Sequence, residues 1–495
     1  MFGNFKCNRH DWSEEHIRKL PRRRFASCDF ENLCLTNQGE WLLFHSKDLL
    51  DGNNKESALN ELNSMPFTYA QGREETERGL FRVKLVDANL VLIRNERGHV
   101  VNVTTTTSLI SKANTKEVLT STTTTNLTRV ELDPNFRYLE KPVYALKRYA
   151  AGNMGHFLFE NIMMSLLDNH ILYLDDVFDK SPHNDIALYG YDGNLATNIS
   201  LKVGTMISKN DVLQVCSKKG IHSIENLPCL NDAPNESINT QSSAENSQEP
   251  TTKYVLNTCF SHFLVGKISN FFVELYGRES AMVMLRHLAY SGLKLSPLPN
   301  EEDIPSELIH YLKRKNIKIG IHSKSKASRH GRIIWNVDDI VDYLRQNVTE
   351  DLKALFPKKK ISIDVFEMGQ MDVHDQIRLI SDLDIYITDQ GSSAYYAMFM
   401  RQDTTVLIAP ECAVVDKKQK CWTGLGHAKL MALPHLRAVD YLDLHKGEPP
   451  MSCNMRPTHN QDNCDPILRP DLVGSVVVSA IKRRYLKLIA FGLER

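Results

Sequence analysis

No charge of one sign dominates this chain: its 495 residues carry 60 Lys and Arg against 60 Asp and Glu. Bulk attraction to nucleic acid or an anionic bilayer is therefore not a property of its composition. No apolar run reaches the ~18 residues that a spanning helix needs. The opening MFGNFKCNRHDW has no apolar stretch of the kind a signal peptide carries. There is no CxxC pair, which removes the usual zinc framework. No GxGxxG follows an early strand, which argues against a dinucleotide-type enzyme such as a sugar-nucleotide epimerase. No internal repeat is present.

What the chain does hold is ordinary globular material, 42% apolar and 24% charged, in a length that exceeds one core and predicts two domains. It has ten cysteines. Cys28/Cys34, Cys216/Cys229, Cys412/Cys421 and Cys453/Cys464 are near enough in sequence to close small loops, the first as a hairpin over CDFENLC. Sequons stand at Asn102, Asn126, Asn198, Asn235 and Asn347. Even cysteines with several sequons point to an oxidising secretory compartment, the endoplasmic reticulum or Golgi lumen, with the signal or anchor not visible in this stretch. The basic run Lys19 to Arg24 reads as a surface turn.

Along the chain, residues 1–60 are polar and irregular. FRVKLV, LVLIRN and HVVNVTTTT favour strands. KPVYALKRY reads as a strand that feeds the helix FLFENIMMSLLDNHILYL, and residues 230–252 as a flexible loop. KYVLNTCFSHFLVG resumes as strand, and ISNFFVELYGRESAMVMLRHLAYSGL has helical periodicity. Residues 294–305, rich in Pro and acids, mark a junction. The segments expected are 1–60, 61–295, 296–450 and 451–495, the last ending in an apolar helix that packs back across the junction.

Residues 361–410 are the most informative. Their order is strand, amphipathic helix, strand, Gly-Ser turn, helix, strand, which is two consecutive βα units of a parallel sheet. The turn Asp389-Gln390-Gly391-Ser392-Ser393 aims backbone N–H groups and a helix N-terminus at the strand tips, where phosphates bind. Upstream, IGIHSKSKASRHGRIIWN places Lys324, Lys326, Arg329 and Arg332 beyond another strand's carboxyl end. Such cations could neutralise a departing diphosphate, or could simply form a solvated loop. Asp382-Leu383-Asp384 is a formal DxD, but it lies where helix runs into strand, a poor setting for a metal. His156 sits at a strand-to-helix turn with Glu160 one helical turn on. The pair could take a proton from an acceptor hydroxyl, or cap the helix and pair with a nearby cation.

Taken together, CDFENLCL, NMGHFLFEN, TCFSHFLVG, RIIWN and EMGQMDVHDQIRLISDLDIYITDQGSSAYYAMF, in that order over about residues 28–445, resemble glycosyltransferase family 61. The resemblance implies an α/β, GT-B-like fold of two Rossmann-like domains facing a cleft. The acceptor side would be the first domain and the nucleotide-sugar side the second. It implies an inverting transferase that needs no metal or other cofactor. Sugar, N-acetylglucosamine or xylose, would move from a UDP-sugar donor to a hydroxyl of a glycoprotein or glycan. Arg332 would contact the diphosphate, and the second cation working with it would be Lys324, Lys326 or Arg329, with Arg329 first for its bidentate geometry. Gly391, Ser392 and Ser393 would match the family's turn, and His156 and Glu160 would supply the base. Two departures stand out: Asp389-Gln390 occupies the place where the family often has His, and the basic loop is long. They motivate a rival reading, a fold that has lost donor binding and serves as a sugar-binding scaffold.

Overall fold

The computed structural model describes chiefly residues 25–45, 83–94, 100–106, 129–146, 253–266, 279–295, 314–324, 333–424, 430–446, 451–455 and 463–490. Short stretches at 4–10, 187–190, 202–203, 206 and 212–214 complete it, and a few single residues within the longer ranges are not described. The helix expected over 157–174 and the loop at 230–252 lie outside the described residues. The described residues form a mixed α/β structure in two compact units. One lies within residues 1–149, 168–196 and 208–269, and the other within 150–167, 197–207 and 270–495.

The first unit is built on strands. In chain order they are β1 (Asn4–His10), β2 (Phe25–Thr36), β3 (Trp41–His45), β4 (Val83–Asp87), β5 (Asn89–Arg94), β6 (Val100–Thr106), β7 (Arg129–Leu139), β8 (Val143–Leu146), β9 (Ala187–Gly190), β10 (Val212–Gln214) and β11 (Lys253–Gly266). Nine of them share one sheet whose main path is β10-β9-β8-β11-β2-β3-β4, with β1 on β2 and β7 on β11; β5 and β6 pair separately. KYVLNTCFSHFLVG is buried on both faces, with Leu256, Phe260 and Phe263 fully inside.

The expected Cys28–Cys34 hairpin is not formed. Both residues lie on the single extended strand β2, and six residues of strand span roughly 20 Å, far beyond the reach of a disulfide. Cys34 bonds instead to Cys259, its register partner on β11, and Cys28 is in a disulfide of its own.

The second unit holds a five-stranded parallel sheet. Its strands are β12 (Asn316–His322), β13 (Lys360–Phe366), β14 (Ile385–Thr388), β15 (Thr404–Ile408) and, after a small disulfide-bonded subsheet, β18 (Leu436–Asp440); the order is β13-β12-β14-β15-β18. Before it comes α1 (Glu279–Gly292). Helix α2 (Val337–Tyr343) continues through a π turn at Leu344–Val348 into α3 (Thr349–Leu355) and joins β12 to β13. Helix α4 (Val373–Ser381), N-capped by Asp372, joins β13 to β14. The subsheet is β16 (Glu411–Val415), β17 (Lys418–Trp422), β19 (Cys453–Met455) and β20 (Asn463–Pro466). It carries the expected Cys412–Cys421 and Cys453–Cys464 bonds. The short helix α5 (Tyr441–Leu444) follows β18.

Helix α6 (Pro470–Ala490) packs on α2, the π turn and β15. It buries Val473, Val477, Ala480 and Ile481 in the same core as Ile317, Ile319 and Ile387 of the sheet. Gly474 makes this approach possible: a Cβ there would sit 2.7 Å from Tyr343 Cε1 and 2.9 Å from Val348 Cγ2. The segment that ends in RIIWN is pinned by the chain leading into α6. Trp335 N–H donates to Pro466 O, and the Asn336 amide exchanges two hydrogen bonds with the Leu468 backbone. Asn347 is the one sequon asparagine whose surroundings are described, and it is exposed.

Candidate functional site

Strand order locates the site. From β12 the chain crosses to β13 on one side; from β14 it crosses to β15 on the other. Connections that diverge from two adjacent parallel strands leave a crevice at their carboxyl ends, between β12 and β14. His322 ends β12 and Thr388 ends β14. Beyond these tips lie Lys324 on one side and the Asp389–Ser393 turn on the other.

The two sides meet. Lys324 Nζ lies 2.7 Å from Asp389 Oδ2, and a Cβ built on Gly391 would lie 3.7 Å from the same ammonium. Gly391 has φ +144°, a region that side chains rarely adopt. The turn is fastened from beneath. Ser393 Oγ donates to Asp389 Oδ1 at 2.6 Å, and the Tyr386 hydroxyl donates to Ser393 O at 3.1 Å. Ser393 is thus committed to holding the turn, while Ser392 is half-buried.

Asp389 is 1% exposed, and burial alone would push its carboxyl pKa up. The His322 imidazole and the Lys324 ammonium outweigh burial, and its carboxyl is held below the ordinary range. His322 Nδ1 stands 3.5 Å from Asp389 Oδ1 without forming a hydrogen bond, and this buried nitrogen has no other hydrogen-bond partner. Gln390 is buried too, its side chain packed where a Cβ of Gly424 would be, and its Nε2 has no hydrogen-bond partner. The carboxyl edge thus combines a cation, a buried acid and two polar side chains with unused hydrogen-bonding capacity.

Among the residues expected to act, Lys324, Asp389, Gly391, Ser392 and Ser393 are brought together here. Arg329, Arg332, His156 and Glu160 lie outside the described residues, as does Lys326. Sequence reasoning missed His322 and named Gln390 only as part of the turn. The signal for His322 was present, because a histidine ending the strand KIGIH must stand at the sheet's carboxyl tip.

One expectation needs correction here. The segment after the turn is not an α-helix but a six-residue 3₁₀ segment, Ala394–Phe399. Its side chains are all buried, and packing, not helical periodicity, sets its path; so short a segment supplies little dipole. Asp389 faces Lys324, His322 and Ser393. The DxD pair lies at the other end of β14, at the amino edge. There Asp384 accepts from Arg484 at 2.7 Å and from the Lys318 backbone N–H at 2.8 Å, with Arg314 at 3.4 Å. Asp382 pairs with Arg314, Arg401 and Lys318. Carboxylates so engaged with protein cations are structural.

The glycosyltransferase 61 family model matches residues 154–407, just over half of the 495-residue chain. The chain belongs to glycosyltransferase family 61. The match runs through β12, Lys324, the turn and β15, so the edge described above falls within the family's domain. The protein is accordingly a glycosyltransferase, with a sugar donor and an acceptor as its partners. Among solved structures it is similar to a glycosyl transferase family 9 protein from Veillonella parvula DSM 2008. The identity is 10%, over 70% of this chain and 98% of that one, with a TM-score of 0.26; a likeness so low carries no argument. No curated protein matches the chain.

Proposed function

We propose that this family 61 enzyme is an inverting transferase that takes a sugar from a UDP-sugar, N-acetylglucosamine or xylose, and places it on a hydroxyl of a glycoprotein or glycan. The observation that carries the reading is the meeting of Lys324 and Gly391 at the crevice between β12 and β14. A diphosphate fits there for two reasons: the ammonium supplies charge, and the glycine lets phosphate oxygens approach the backbone. In this reading Arg332 and Arg329, which follow β12 in sequence, add further positive charge. In the reaction the acceptor oxygen attacks the anomeric carbon while His156 or Glu160 takes its proton. The bond from that carbon to the UDP oxygen breaks, and the cations receive the growing negative charge. A GT-B arrangement, with the acceptor carried by the first unit, completes the proposal.

The chemistry needs no divalent ion in this reading, since protein cations do its work. The engagement of both DxD carboxylates by Arg and Lys supports that view. The disulfides support an oxidising lumen, endoplasmic reticulum or Golgi, as the place of action. Among the described residues no helix is long and apolar enough to cross a membrane.

Hydrolysis and transfer assays over a panel of UDP- and GDP-sugars test the proposal, with EDTA present. Turnover of one UDP-sugar is expected, and Arg332→Ala should remove most of it while leaving the fold intact. Turnover of GDP-sugars alone, or an Arg332→Ala variant as active as wild type, would refute it.

A further inference from the structure

Resting on the donor site just proposed, a further role falls to His322. The starting point is an electrostatic conflict. Lys324 is both the cation poised at the phosphate site and the closest cation to the buried Asp389, with 2.7 Å between them. A diphosphate that draws this ammonium toward itself leaves a desolvated carboxylate with one neutral donor, the Ser393 hydroxyl, and an unpaired buried charge is costly. The imidazole is placed to resolve the conflict. It approaches Oδ1, the oxygen opposite the one Lys324 holds; it is 2% exposed; and its Nδ1 is without a hydrogen bond.

We propose that His322 takes over from Lys324 when a sugar nucleotide binds: it picks up one proton from solvent, donates it in a hydrogen bond to Asp389, and so releases Lys324 to the diphosphate. Charge balances in the step. One ammonium moves from carboxylate to phosphate, and one proton enters to replace it. Among the described residues, the groups that bear on this imidazole are Lys324 on its own loop and Asp389 beyond β14, while β13 presents the ring of Phe366. Tyr386 of β14 also feels the charge of Asp389, and burial keeps its hydroxyl protonated. Carboxylate, imidazole and ammonium thus form one unit whose proton count changes with occupancy. Under this account His322 is a positioning residue, acting on the diphosphate through Lys324.

The test is calorimetric titration of the whole chain with UDP-N-acetylglucosamine and UDP-xylose at pH 7.5, in two buffers of different ionisation enthalpy. A sugar diphosphate has no group of its own that titrates near this pH, so any proton exchanged belongs to the protein. Uptake of about one proton per ligand is expected for wild type. His322→Gln should take up none and bind about tenfold more weakly. Asp389→Asn, with no charge left to balance, should bind at least as tightly as wild type and take up no proton. Binding by wild type with no proton uptake, or uptake unchanged in His322→Gln, overturns the role of His322 and leaves the donor site standing. Loss of binding in Asp389→Asn, with the variant folded, also overturns it. If wild type binds no sugar nucleotide, both proposals fall. Should His322→Gln not fold, wild type and Asp389→Asn decide the matter.

Discussion

Strand β14 carries an acidic cluster at each end, and the two have opposite characters. Before the strand, Asp384 is gripped by Arg484 from α6, by Arg314 and by the backbone of β12. Beyond it, Asp389 is held by one lysine, one hydroxyl and a histidine at arm's length. Both acids are buried. The first has partners on several elements of the fold. The second shares its main partner with an open strand edge. A buried charge saturated by protein cations is a clamp; one balanced by a single, partly exposed cation can respond to a ligand.

The largest expected effect falls on the clamp. Asp384→Ala removes the buried carboxylate shared by Arg484, Arg314 and the Lys318 backbone N–H and should cost about 3–5 kcal/mol, read as a lower denaturation midpoint by circular dichroism. Lys324→Met should act mainly on the ligand: UDP-sugar affinity should weaken tenfold or more, by calorimetry, and stability should fall by less than in Asp384→Ala, because His322 stands ready to balance Asp389 in its place. Equal stability losses in the two variants would erase the distinction. Gly391→Ala forces a side chain into an unfavourable backbone region beside the ammonium, costing about 1–3 kcal/mol, and should lower donor turnover more than its modest loss of thermal stability explains.

The smallest effect is a pH dependence that involves neither Asp384 nor Asp389. His435 is buried, its pKa held well below the ordinary value by desolvation and by the nearby Arg286 charge. Its Nε2 bonds the Met398 carbonyl at 2.9 Å. As pH falls below about 6.5, the unfolded chain's imidazole binds a proton that the folded one refuses, so stability declines toward acid. His435→Gln, which retains an N–H for that carbonyl, should flatten the decline between pH 6.5 and 5, measured as midpoint denaturant concentration.

The contrast between the two clusters also marks what the sequence could reveal. Strands β11 to β15 were legible because runs such as KYVLNTCFSHFLVG and LDIYIT are apolar, β-branched and bounded by turn residues. The Gly-Ser turn was legible because glycine and serine between strand and apolar segment have few other uses. The partner of Cys34 was not: Cys259 lies 225 residues away and becomes a neighbour only when β2 and β11 pair. The burial of Asp389 was equally hidden, because an acid after a strand looks the same whether it faces water or a lysine. The 3₁₀ path of Ala394–Phe399 was missed because all six side chains are buried, and a fully apolar run has no periodicity to read.

The central claim is that the carboxyl edge between β12 and β14 holds the donor's diphosphate through protein cations. Calorimetric titration of wild type and Lys324→Met with UDP-sugars, in EDTA, tests it most directly. The account predicts binding by wild type and a tenfold or greater loss in the variant, with circular dichroism unchanged. Equal affinity in both proteins, or binding by wild type only after a divalent ion is restored, would contradict it.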